Sequence, residues 1–229
     1  MTPSHIKDKL LEVYGRLLDE YGPQYWWPGD TPFEVIIGTI LTQATSWANA
    51  ERAIDNLKAG GKCTIHALKD IGHNELASLL YPSVYFNAKA RKIKEFVAYL
   101  QANYKGDLDL LLHKDLKDLR IELLGIYGIG NETADDIVLY AANKPSFVID
   151  SYTRRILDRL GMSPPRYGYL DYQKVFMENL PLDPALFNEF HALLDEHAAR
   201  KCHKTRPECN NCCLLKLCAT GCEYTNGLK

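Results

Sequence analysis

Three short stretches of the sequence hold residue types that do chemistry. Near the C-terminus, Cys202, Cys209, Cys212 and Cys218 follow the spacing C-x6-C-x2-C-x5-C, with Cys213 and Cys222 among them. On chemical grounds, four clustered thiolates hold zinc or an iron–sulfur cluster equally well. The second stretch is GIYGIGNETADD, Gly125 to Asp136. Gly128 and Gly130 permit positive φ and close approach of a backbone. A phosphate-cradling nucleotide loop would continue with Gly-Lys-Ser/Thr, and a dinucleotide turn would follow a strand. Here Asn131 and Glu132 follow, and LKDLRIELL before the turn reads as a helix. The free N–H groups opening the next helix suit an anion such as a DNA phosphate, while an ordinary helix–helix corner explains the turn alone as well. Glu132, Asp135 and Asp136 suit the dipole of that helix, and for the two aspartates a helix-starting role is the simpler reading. The third stretch ends at Asp150, after the apolar residues Phe147–Ile149 and before a helix. Asp150 is most simply an N-cap, a position that also keeps its carboxylate anionic.

The elements that must position these residues read as helices almost throughout. Apolar residues recur at helical spacing at Ile6, Leu10, Val13, Tyr14, Leu17 and Tyr21, then from Phe33 to Leu41 and from Trp47 to Leu57. Residues 88–101 put Ile93, Phe96, Val97 and Leu100 on one face. Lys89, Arg91 and Lys92 on the other either serve a nucleic-acid backbone or form a solvated face. Further helices are expected at Leu108–Leu112, Leu116–Leu124, Thr133–Ala142, Tyr152–Leu160, Tyr172–Leu180 and Pro184–Arg200. Gly and Pro punctuate the joins, and no alternating segment is long enough for a strand. The fold class is therefore all-α.

Composition adds bounds. With 46% hydrophobic and 24% charged residues the chain has an ordinary globular profile, and no apolar run is long enough to span a bilayer. The N-terminal segment is amphipathic and lacks the unbroken apolar stretch of a signal peptide, so a cytoplasmic protein without membrane attachment is expected. Six of the seven cysteines lie in the C-terminal knot, which in such a chain points to metal and not to disulfides. A net charge of −2 gives no global pull toward nucleic acid, leaving any such binding to local patches. Arg200, Lys201, Lys204 and Arg206 make one candidate, equally readable as solvated surface.

Taken together, helix, GIYGIGNETA, helix, a VID aspartate and the four-cysteine spacing resemble the helix-hairpin-helix DNA glycosylases related to endonuclease III. LTQAT (Leu41–Thr45) and YFNAK (Tyr85–Lys89) match family segments in the same order, so the resemblance covers most of the chain. It implies a two-lobed fold, with a helical barrel over residues 29–145 carrying the hairpin. A second lobe, from 1–28 with 146–229, would end in a [4Fe–4S] loop held by Cys202, Cys209, Cys212 and Cys218. The active site would lie in the cleft between the lobes. WWPGDTPFE, LTQATSW and GIGNETAD are similar to the 3-methyladenine DNA glycosylase III branch in particular. In that branch the residues matching Trp26, Trp27, Pro28, Trp47 and Glu132 line the base pocket. The member of that branch in view lacks the cysteine cluster that this chain keeps.

Bifunctional members carry a lysine where Glu132 stands, and a carboxylate cannot form the Schiff base that leads to strand cleavage. The resemblance therefore implies a monofunctional base excision repair enzyme that flips an alkylated purine such as 3-methyladenine out of double-stranded DNA. Asp150 would stabilise the sugar cation and help water attack, Gln43 would fill the gap in the duplex, and Tyr85 would wedge the opposite strand. Gly128, Gly130 and Thr133 would hold the DNA backbone. All three tryptophans of the chain fall in the implied pocket, where indole faces would stack on a cationic base, with core packing as the plain alternative. A monomer acting on the nucleoid is expected. Glycosylases for oxidised or mismatched bases, a lyase using another amine, and a non-catalytic DNA-binding iron–sulfur protein are the rival functions.

Overall fold

A computed structural model describes residues 3–227, and among these every regular element is helical. The helices are α1 (Pro3–Tyr21), α2 (Pro32–Thr42), α3 (Trp47–Ala59), α4 (Ile65–Asp70), α5 (His73–Leu79), α6 (Phe86–Tyr104) and α7 (Leu108–Leu112). Then come α8 (Leu116–Leu124), α9 (Asn131–Asp136), α10 (Ser151–Arg159), α11 (Tyr169–Met177), α12 (Pro184–Arg200) and α13 (Ala219–Thr225). None is long and apolar enough to cross a membrane. The chain divides into two compact units, Trp27–Lys144, and Met1–Trp26 with Pro145–Lys229.

The unit Trp27–Lys144 is built around α2. Thr31 starts that helix by accepting the N–H of Glu34 at 3.1 Å, and Pro32 occupies its first turn. The sequence PFEVIIGTILT is nearly all apolar, so this helix is buried on every side, with Ile36, Ile37, Ile40 and Leu41 fully covered. Helices α3, α6 and α9 pack around it. Gly38 allows one close approach, since a Cβ there would stand 3.1 Å from the Trp27 indole.

The expected helix Thr133–Ala142 is in fact α9 followed by a π-helical turn over Ile137–Ala141. Ile137, Val138 and Leu139 are consecutive and all buried, which a one-faced helix does not provide. Helix α11 begins three residues earlier than expected, because Leu170 is half exposed and breaks the apolar pattern that would reveal its first turn.

In the other unit, α12 packs against α1 and α10. Its centre is Phe147, fully buried, stacked on Phe176 at 3.6 Å between ring centroids and edge-on to Phe187 at 5.3 Å and Phe190 at 5.8 Å. Phe147 O accepts a 2.8 Å hydrogen bond from Gln173, and the Tyr169 hydroxyl accepts the Ile149 N–H at 3.3 Å. The chain just before Asp150 is thereby fixed on both its apolar and polar sides. Phe147→Ala removes the ring on which three others close and is expected to cost about 3–5 kcal/mol, read as a lower denaturation midpoint at unchanged slope.

Candidate active site

Asp150 is the N-cap of α10, with extended backbone and Oδ1 accepting the Thr153 N–H at 2.7 Å. Its side chain keeps 18% exposure, and among the described residues Oδ2 accepts no hydrogen bond. One carboxylate oxygen is thus committed to capping the helix. His191 Nε2 lies 4.0 Å from Oδ1. Helix α12 also contributes Asp195 one turn on, and a donor atom from each of the three residues lies within 4.8 Å of the others. Burial pushes the pKa of His191 down, with Asp150 opposing the shift. At neutral pH the imidazole is therefore neutral and leaves the Asp150 charge uncancelled. Nothing in the local sequence signals His191, because α12 reaches this place only through packing.

The hairpin is a rigid piece of unit Trp27–Lys144. Gly128 has φ +86°, and a Cβ on it would collide with the Lys92 side chain at 2.4 Å. Gly130, contrary to expectation, has φ −96° with open space around it, so of the two glycines only Gly128 takes positive φ. Glu132 is exposed in the first turn of α9. Asp135 is not a helix starter. It is fully buried and accepts two hydrogen bonds from Arg120, from Nε at 2.8 Å and from Nη2 at 2.9 Å. Arg120 Nη2 also donates to Asn131 Oδ1 at 3.0 Å, clamping α8 to α9 across the turn. Thr133 is buried, and its hydroxyl accepts from Gln43.

Of the aromatic residues, Trp27 meets Trp47 edge-on at 5.3 Å and tilts against Tyr140 at the same separation. All three are half-buried, so this cluster is neither plain core nor free surface. Tyr140 carries no signal in sequence, since it comes from the π-helical turn, a feature frequent at functional sites. Trp26 is half-buried and Pro28 exposed.

Gln43 follows α2 and is held in place: Nε2 donates to Thr133 Oγ1 at 2.8 Å and to Gly128 O at 3.2 Å, and Oε1 accepts from Lys92. Tyr85 is 68% exposed with φ +48°, directly after Val84 at φ +58°. Lys89, expected on an outer basic face, is instead 2% exposed, its ammonium on backbone carbonyls. Arg91 does face outward and lies 4.1 Å from the Tyr127 ring centroid.

Cys202, Cys209, Cys212 and Cys218 line one cavity together with Ile156, Leu160 and Leu214. Cys213 and Cys222 do not line it. Arg159 Nη1 reaches Cys202 Sγ at 3.0 Å, and the Gly221 N–H reaches Cys218 Sγ at 3.2 Å. His197 Nε2 stands 3.6 Å from Cys212 Sγ, with Tyr21 Oη 2.9 Å from its Nδ1. A tyrosine hydroxyl donating to Nδ1 leaves Nε2–H directed at the sulfur. Four sulfurs lining one cavity, three of them beside a donor from Arg159, His197 or Gly221, suit a metal group.

The family model for HhH-GPD superfamily base excision DNA repair proteins matches residues 37–181. The Methanocaldococcus jannaschii protein MJ1434, which bears the provisional name of a DNA repair glycosylase, is 40% identical over 92% of this chain and 96% of its own. An endonuclease III solved in a non-covalent complex with DNA shares the fold, with a TM-score of 0.83 and 22% identity over 99% of both chains. The H. pylori 3-methyladenine DNA glycosylase bound to 1,N6-ethenoadenine shares it with a TM-score of 0.70 and 24% identity, over 87% of this chain and 98% of that one.

Proposed function

The chain belongs to the HhH-GPD superfamily of base excision DNA repair proteins, and we propose that it is a monofunctional DNA glycosylase for alkylated purines such as 3-methyladenine. The observation that carries this reading is Asp150, a carboxylate fixed by one oxygen at a helix mouth, in a chain with Glu132 where a Schiff-base lysine would stand. When the bond between C1′ and the base nitrogen breaks, its electron pair leaves with the base. A base alkylated on a ring nitrogen already carries positive charge, so it departs neutral. Positive charge grows on the sugar, where the Asp150 carboxylate stabilises it. Water then attacks C1′, giving up a proton to Asp150 or to solvent, and the products are free base and an abasic site.

The substrate class follows from Trp26, Trp27, Pro28, Trp47 and Glu132, the positions that match the 3-methyladenine branch. Indole faces attract a cationic ring by about 1–2 kcal/mol per contact, and a carboxylate adds to this. That the H. pylori enzyme of that name shares the fold is consistent with the reading. Cys202, Cys209, Cys212 and Cys218 would hold a [4Fe–4S] cluster, whose part here is to order the C-terminal segment. The protein would act as a monomer on cytoplasmic, nucleoid DNA, with the hairpin residues Gly128, Gly130 and Thr133 taking the backbone and Gln43 and Tyr85 the opened duplex.

A base-release assay over 3-methyladenine, ethenoadenine, an oxidised pyrimidine and a mismatch tests the proposal. Glu132→Gln is expected to slow release of the cationic lesion on the order of tenfold while leaving neutral lesions nearly unchanged. Equal loss on all lesions would remove the charge argument. Borohydride trapping on abasic DNA separates the lyase alternative, and DNA binding without base release would mark the non-catalytic one.

A further inference from the structure

We propose that Lys89 is a positioning residue for base flipping: its buried ammonium joins the loop that carries Gln43 to the loop that carries Tyr85, so that the two act as one rigid reader. This inference rests on the glycosylase reading given above. Lys89 lies in the first turn of α6 and is 2% exposed. Its Nζ donates to Leu41 O at 2.8 Å and to Ser83 O. Leu41 belongs to the last turn of α2, where carbonyls lack intrahelical donors and a cation is favoured. Ser83 ends the short turn Tyr81–Ser83 that leads into Tyr85.

Both loops turn left-handed shortly after the carbonyl that Lys89 holds. Ala44 has φ +54°, three residues past Leu41, while Val84 at φ +58° and Tyr85 at φ +48° follow Ser83 at once. Val84 is β-branched, and with ψ 151° its backbone is in a region left almost entirely to glycine. Such a conformation persists only where the surroundings over-determine it. The residues it presents are exposed: Tyr81 at 70%, Val84 at 44% and Tyr85 at 68%. One turn along α6, Lys92 holds Gln43 Oε1, and Gln43 reaches the hairpin at Gly128 O.

No carboxylate hydrogen-bonds to the Lys89 ammonium among the described residues. An apolar side chain of the same length would fill this place without the cost of burying a charge. What a cationic nitrogen donor supplies is a simultaneous bond to the Leu41 carbonyl at the end of α2 and the Ser83 carbonyl in the turn before Tyr85. Burial, with Lys92 nearby, holds its pKa down at about 8.

The test compares the parent, Lys89→Met and Lys89→Arg on one alkylated purine placed in a duplex and in a single strand. Single-turnover base release, the fluorescence of an adjacent 2-aminopurine as a flipping signal, and a thermal melt are read together. The expected result is that Lys89→Met slows release from the duplex on the order of tenfold or more, the step in which the base must leave its stack. Release from the single strand stays within about twofold, since no stack is opened there. The flipping signal falls in parallel, and Lys89→Arg recovers part of both. Equal loss on duplex and single strand, or failure of both variants to fold, overturns the proposal, because Lys89 would then only hold its unit together. If the parent releases no base from either strand, the glycosylase reading fails. The fluorescence comparison still judges Lys89, since it needs no bond cleavage.

Discussion

Asp150→Asn is expected to slow base release from every lesion at least on the order of a hundredfold while leaving the protein folded. The native carboxylate does two separable jobs. Oδ1 accepts the Thr153 N–H and so caps α10, and on the proposed reading the negative charge faces the reacting sugar. Asparagine caps helices as well as aspartate does, so the first job survives. The second is lost, because an amide has no charge to set against a sugar cation. Removing one such electrostatic partner costs about 3–4 kcal/mol at the transition state, a fall on the order of a hundred- to a thousandfold. Single-turnover release beside a thermal melt measures both quantities on one sample. Alanine would be a poorer choice, since loss of the cap costs about 1 kcal/mol by itself and mixes the two effects. Turnover within a factor of two of the parent would remove Asp150 from the chemistry.

Cys212→Ser is expected to lose iron and inorganic sulfide together and to free the C-terminal segment for proteolysis. That segment cannot hold itself. Between Lys201 and Gly227 only Leu214 and Gly221 are buried, and its regular structure amounts to two three-residue turns and the seven-residue α13. So little apolar burial does not offset the entropy of ordering that much chain, and on the proposed reading bonds to the cluster supply the difference. Their loss should destabilise the unit by about 3 kcal/mol or more, lowering the melting temperature by roughly 10 °C. Cys213→Ser and Cys222→Ser are the controls, because neither side chain lines the cavity. Full iron content in both, with none in Cys212→Ser, identifies the four ligands. Loss of iron from the Cys213 variant would reassign them.

Helices α8 and α12 have the bounds that apolar periodicity alone marks out, because each shows a clear stripe between strong stop signals. The short helices α4 and α5, of six and seven residues, span too few turns for a stripe to emerge. Among the site residues, the turn at Gly128 was legible because only glycine suits φ +86°. The partners of the site were not. Arg120 meets Asp135 from 15 residues away, and Lys89 reaches Leu41 from 48. His191 stands beside Asp150, and Tyr140 beside Trp27, through helix packing alone. Charged residues read locally as solvated or as helix starters, and only tertiary structure can overturn that reading. Lys89, Asp135 and Asp136, all buried and the last two beyond the first turn of α9, are cases in which it does.

The fork of Arg120 on Asp135 has a consequence for how the hairpin would meet a duplex. A surface already frozen in its working shape gives up little disorder on landing, so nearly all the attraction it generates survives as affinity. On the proposed reading such a grip would be indifferent to base identity, letting the protein scan undamaged DNA and leaving discrimination to the slower event of extruding a nucleotide.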